Sequence, residues 1–139
     1  MISKILLGYD GSGSADDALA FALDLATRYA AELHILAVAR PPEFAEDVET
    51  EALLENSIRH YRHVLEPVAA SVAASSVKAQ TEVAVGHPAE QIVRYAEKHG
   101  IDHIVVGHRG RTLFERWLIG SVARQVIAYA HCAVTVVRK

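Results

Sequence analysis

Short apolar runs alternate along this chain with longer stretches whose apolar positions recur at helical spacing. Ile2 to Tyr9 is the first apolar run and predicts a buried strand. Ser14 precedes Ala15-Asp16-Asp17 and is placed to cap a helix, with the two acids near the positive end of its dipole. Leu19, Ala22, Leu23, Ala26 and Ala30 then follow at helical spacing. Leu33 to Ala39 predicts the second strand, stopped by Pro41-Pro42. Glu43 to Glu51 holds five acidic residues and is expected to be a solvated, mobile connection. A lid over a site is the other reading of that segment.

Leu54, Ile58, Tyr61, Leu65, Val68 and Val72 step by three or four, one face of a long amphipathic helix. Pro67 falls inside it and is expected to kink or split it, since an interior proline costs ~3 kcal/mol. Val77 to Val85 alternates apolar residues with Lys78, Gln80 and Glu82, the pattern of a less buried strand at a sheet edge. Pro88 suits the first position of the next helix, and Gly100 suits its end. Ile101 to Val106 is the fourth strand, a fourth helix begins at Ser121, and Ala133 to Val137 is a last β-branched strand. Five strands alternating with four helices predict a single α/β domain over residues 1–139, an open parallel sheet with helices on both faces.

Composition narrows the class. Of 139 residues, 51% are hydrophobic and 22% charged, a globular balance. A chain of that length suits one core. No apolar run reaches membrane-spanning length, no signal-peptide pattern opens the chain, and the single Cys132 excludes an internal disulfide framework. A cytoplasmic location is therefore expected. The net charge of −3 hides an asymmetry. Residues 1–77 carry five Lys/Arg against twelve Asp/Glu, and residues 78–139 carry nine against five. The second part is the better host for an anion, but without a dense basic cluster interleaved with aromatics it does not suggest nucleic acid.

The chemistry concentrates between Gly107 and Ser121. Gly107-His108-Arg109-Gly110 follows the strand Ile104-Val105-Val106, and Gly120-Ser121 opens the fourth helix. A strand, a basic glycine-bearing loop and a helix N-terminus together make an anion site, because the first amides of a helix lack intrahelical partners and the dipole favours negative charge. Arg109 and Arg111 can grip phosphate oxygens with paired hydrogen bonds. The bland reading of these glycines is chain turning alone. Asp10 ends the first strand, where open α/β sheets bind ligands. It can equally be a turn residue bonded to its own backbone. Gly11-Ser12-Gly13 makes a poor dinucleotide fingerprint, because Asp16 stands where its last glycine belongs and no acidic residue ends the second strand. His60 and His63 are one turn apart, a metal-binding spacing, but lie off the apolar stripe.

The spacing of Gly107, Gly110, Gly120 and Ser121 resembles the nucleotide motif of the universal stress protein family. Lys4-Ile5-Leu6-Leu7-Gly8-Tyr9-Asp10-Gly11-Ser12 is similar to that family's opening strand and turn, and Val83-Ala84-Val85-Gly86-His87-Pro88 to its third strand and following glycine. With Ile104 to Gly110 and Gly120-Ser121-Val122-Ala123 the resemblance covers essentially the whole chain. It implies strand order 3-2-1-4-5, an adenine-nucleotide alpha-hydrolase-like fold, and a homodimer joined along the last strand. It also implies ATP with Mg²⁺ or Mn²⁺ as the ligand. Asp10, Gly11 and Ser12 would then sit at the adenosine part, and the Val38 backbone at adenine. Gly107, His108, Arg109, Gly110, Gly120, Ser121 and Val122 would sit at the phosphates. Ala133 departs from a proline common before the family's last strand, and Gly13 adds a glycine to the first turn.

The resulting expectation is an ATP-binding regulatory protein of stress response with slow hydrolysis or none. The alternative is a dimeric interaction module that binds no ATP or another phosphorylated ligand, with an unidentified protein partner. A phosphotransferase would need a base and charge-stabilising groups, for which only His108 and Arg109 are candidates.

Overall fold

A computed structural model describes residues 1–41, 48–109 and 119–138. In chain order they form β1 (Lys4–Gly8), α1 (Gly13–Tyr29), β2 (Glu32–Ala39), α2 (Val48–Ala73), β3 (Ala79–Val85), α3 (Pro88–His99), β4 (His103–Gly107), α4 (Ser121–Tyr129) and β5 (Ala133–Val137). The strands make one parallel sheet in the order β3-β2-β1-β4-β5. The pattern of apolar runs thus yields the expected architecture, and β3 lies at an edge with most of its residues exposed.

Alternation along the strands divides the core in two. Ile5, Leu7, Leu33, Ile35, Ala37 and Val105 face α1 and α2, against Ala18, Ala22, Leu65, Val68 and Val72. Leu6, Leu36, Val38, Ile104 and Val106 face α3 and α4, against Ile92, Ala96, Ala123 and Val126. Small alanines on α1 let that helix sit close to the sheet. Near the start of β2, His34 is buried on the second face. Its Nδ1 lies 2.7 Å from the Tyr95 hydroxyl and accepts from Gln80 Nε2 at 3.1 Å, and His99 stacks on Tyr95. With Nδ1 accepting, the neutral ring's proton belongs on Nε2, which is buried without a partner.

Three local expectations are corrected. The cap of α1 is Ser12 rather than Ser14: its hydroxyl accepts from the Ala15 amide at 3.1 Å, so the helix starts two residues earlier. Pro67 does not split α2, which is assigned as one helix through it. Pro67 is exposed, while Leu65, Val68 and Val72 beside it are buried, so burial of that face outweighs the lost hydrogen bond. The acidic segment is partly helix, since Val48 to Glu51 belong to α2; residues 43–47 lie outside the described part.

Candidate functional site

β1 is central, and the chain leaves it towards β2 on one side and is joined by β4 on the other. Ligands of open α/β sheets bind at such a switch point, beyond the carboxyl ends of the strands. A cavity of 680 Å³ opens there. Its walls come from the ends of β1, β2 and β4, the first turn of α4, and the flank of α2.

The β2 side follows from strand lengths. The pairing of β1 with β2 ends at Gly8 opposite Leu36, with the Tyr9 amide donating to the Leu36 carbonyl at 2.9 Å. β2 continues to Ala39. Backbone groups along a strand alternate in direction. Ala37 and Ala39 therefore turn to β3, where the Gly86 amide reaches the Ala39 carbonyl at 3.0 Å. Val38 turns its N–H and C=O to the side that β1 has vacated. A donor and an acceptor from one residue thus stand unpaired by the sheet at the cavity wall.

Asp10 also lines the cavity, and its Oδ1 accepts from the Ser12 amide at 2.9 Å. It is a turn residue and a wall residue at once. Gly11 takes φ +82, and a β-carbon there would come 3.2 Å from Val64 on α2. Gly11 and Ser12 shape the turn and do not line the cavity.

At the β4 side, Gly107, His108 and Arg109 line the cavity together with Gly120, Ser121 and Val122. The His108 amide donates to the Val137 carbonyl at 3.0 Å, and its own carbonyl accepts from Gly120 at 2.6 Å. This pins the start of α4 to the end of β4. N-cap Gly120 has no capping side chain, and the first turn of α4 holds no acid. The amides of Ser121, Val122 and Ala123 consequently lack intrahelical acceptors and give that end a partial positive charge. His108 is 5% exposed, with Nδ1 3.5 Å from the Ser14 hydroxyl, which also accepts from the Arg109 amide at 3.3 Å. Gly110 and Arg111 lie outside the described residues.

Sequence reasoning missed Arg40, Ser57, Tyr61, Pro88 and Arg124, all of them wall residues. Only the apolar stripe of α2 carried a hint, by placing Tyr61 inward. Among the described residues the walls hold Arg40, Arg109 and Arg124 against one carboxylate, Asp10, so this lining favours an anion. Among the described residues no group of three His, Cys, Asp or Glu could hold a metal. His60 and His63 are both exposed on α2.

A family model for universal stress proteins matches residues 1–138. The chain belongs to the universal stress protein family. A universal stress protein of Methanocaldococcus jannaschii is 36% identical over 146 residues, spanning 100% of this chain and 84% of that protein. The solved universal stress protein UspA from Lactobacillus plantarum superposes with a TM-score of 0.90 at 30% identity, over 98% of this chain and 97% of that one. A more distant universal stress protein, solved in complex with cAMP, shares the fold at a TM-score of 0.67 and 24% identity, over 99% and 97% of the two chains. Universal stress proteins of this fold thus include a nucleotide complex. Among the described residues no helix is long and apolar enough to cross a membrane.

Proposed function

We propose that this universal stress protein binds an adenine nucleotide, ATP, in the cavity at the strand ends, as a cytoplasmic regulatory protein rather than a dedicated enzyme. The observation that carries the reading is that one cavity joins two complementary ends. At one, the unpaired N–H and C=O of Val38 match the adjacent acceptor and donor on the edge of adenine. At the other, the open amides of α4 suit phosphate. Asp10 stands at the nucleoside end, where its carboxylate can accept from a ribose hydroxyl. Gly107, His108, Arg109, Gly120, Ser121 and Val122 stand at the phosphate end, and Gly110 is assigned there from the sequence motif. A divalent ion such as Mg²⁺ or Mn²⁺ would be held mainly by the phosphates and water, as Mg²⁺ commonly is, since Asp10 is the one carboxylate among the described wall residues.

Hydrolysis is slow in this reading, because among the described residues no carboxylate partners His108 and no other base lines the cavity beside it. Two copies pair through β5, whose outer edge has no strand beside it among the described residues. Mass spectrometry of the ligand released from purified protein tests the proposal. Recovered adenine nucleotide supports it; protein that carries none and binds none on addition of ATP favours an interaction module.

A further inference from the structure

Arg124 is a cation where helix physics disfavours one. It lies in the first turn of α4, beside the positive end of the dipole, a place that suits acids. Its guanidinium folds back over that end, with Nη2 donating to the Ile119 carbonyl at 3.1 Å, and the residue lines the cavity. No acid in the first turn offsets it. Two further features mark this end for an anion. Arg109 lines the same wall, and His108, nine-tenths buried, lines it too with an Nε2 that has no hydrogen-bond partner among the described residues. An uncompensated cation beside open helix amides is stabilised once an anion of higher charge arrives. Arginine, moreover, spans phosphate oxygens with two donors while a third remains on the backbone.

We infer that Arg124 reads the length of the phosphate chain: it grips the outer phosphates of a nucleoside triphosphate and gives the site its preference over a monophosphate. The inference rests on the nucleotide reading above. It separates the tasks within the cavity. The α4 amides take the phosphate that any nucleotide presents, and Arg124, exposed at the rim, adds affinity only for a chain long enough to reach it. The rim position explains how a charged side chain can wait there unliganded. Its charge is solvated, and the Ile119 carbonyl holds the guanidinium over the site without neutralising it.

Calorimetric titration of the full chain with ATP, AMP and inorganic triphosphate, each with Mg²⁺, tests this on the parent, Arg124→Gln and Arg124→Lys. Glutamine keeps a donor for the Ile119 carbonyl and removes the charge. The expected result is that Arg124→Gln weakens ATP and triphosphate about tenfold, the scale of a charge-assisted hydrogen bond, while AMP changes less than about twofold. Arg124→Lys should recover part of the loss. Equal weakening of ATP and AMP would show that Arg124 only holds the loop in shape and would overturn the inference, as would no weakening of either. Triphosphate binding that depends on Arg124, in a parent that ignores both nucleotides, would keep the phosphate role and refute the nucleotide reading. A parent that binds none of the three ligands would refute both.

Discussion

A β-carbon on Gly107 would collide with the hydroxyl of Ser14 and lie 2.8 Å from the Ser14 carbonyl oxygen. Glycine is therefore needed at 107 because α1 crosses the end of β4 closely, before any ligand is considered. The motif position serves packing first. Gly107→Ala should destabilise the unliganded protein by about 1–3 kcal/mol, the usual scale of overpacking. Urea denaturation measures it, and an unchanged midpoint would show that α1 can withdraw without cost.

Pro67 offers the opposite case. It lies exposed in the continuous α2, where it removes one hydrogen bond and crowds the preceding turn. Pro67→Ala should stabilise the fold by about 1–3 kcal/mol, somewhat less than the full interior-proline penalty because alanine also frees the unfolded chain. A lower urea midpoint for Pro67→Ala would mean that the helix is built around a proline bend.

Acid should weaken the fold through His34. Burial holds its pKa below the ordinary 6.5, with His99 and Lys4 acting in the same direction and Glu32 and Glu82 against it. The unfolded chain therefore takes up the proton first. This part of the stability is whole above about pH 6.5 and is lost as the pH falls through the folded value. His103, half-buried beside Thr135, is lowered by desolvation against the pull of Asp102 and acts with the same sign. His34→Leu should be less stable at pH 8, because Tyr95 and Gln80 lose a partner, yet lose less between pH 7 and 5. Urea midpoints across that range decide it, and a parent-like slope in the variant would place the acid sensitivity elsewhere.

The β5 edge carries the proposed dimer. Its valines are half-buried, and Ile127 and Tyr129 stand 49% and 67% exposed on the neighbouring α4. Val136→Lys should shift the protein towards monomer by placing a charge in the seam. Sedimentation equilibrium reads the change; a dimer of unaltered strength would locate the interface on another surface.

The fold was legible because strand and helix periods differ and each apolar run had the length of its element. Strand order came with the family resemblance, since periodicity does not say which strands are neighbours. The grouping of Gly107 to Arg109 with Gly120 to Val122 at one cavity wall was legible too, because they are close in sequence around one loop and one helix start. The part Val38 plays in the opposite wall was not legible from its side chain and was named only through the resemblance. The free backbone of Val38 exists because β1 stops at Gly8 while β2 runs on to Ala39, a difference in pairing that no side chain reports. Tyr61 and Ser57 join the wall only because α2 packs across the sheet. Ser12 displaced Ser14 as the cap because both are good caps and the positive φ of Gly11 decides where the turn ends.

Thermal unfolding of the purified, nucleotide-free protein with and without ATP and Mg²⁺ tests the central claim most directly. A ligand that binds only the folded state at a hundredfold excess over its dissociation constant adds ~2.7 kcal/mol. For a domain of this size that raises Tm by several degrees. The account predicts such a rise with ATP and a reduced one in Asp10→Ala, which removes the proposed nucleoside contact and leaves the α4 end of the cavity intact. An identical Tm with and without millimolar ATP, in a protein shown to be free of bound nucleotide, would contradict it.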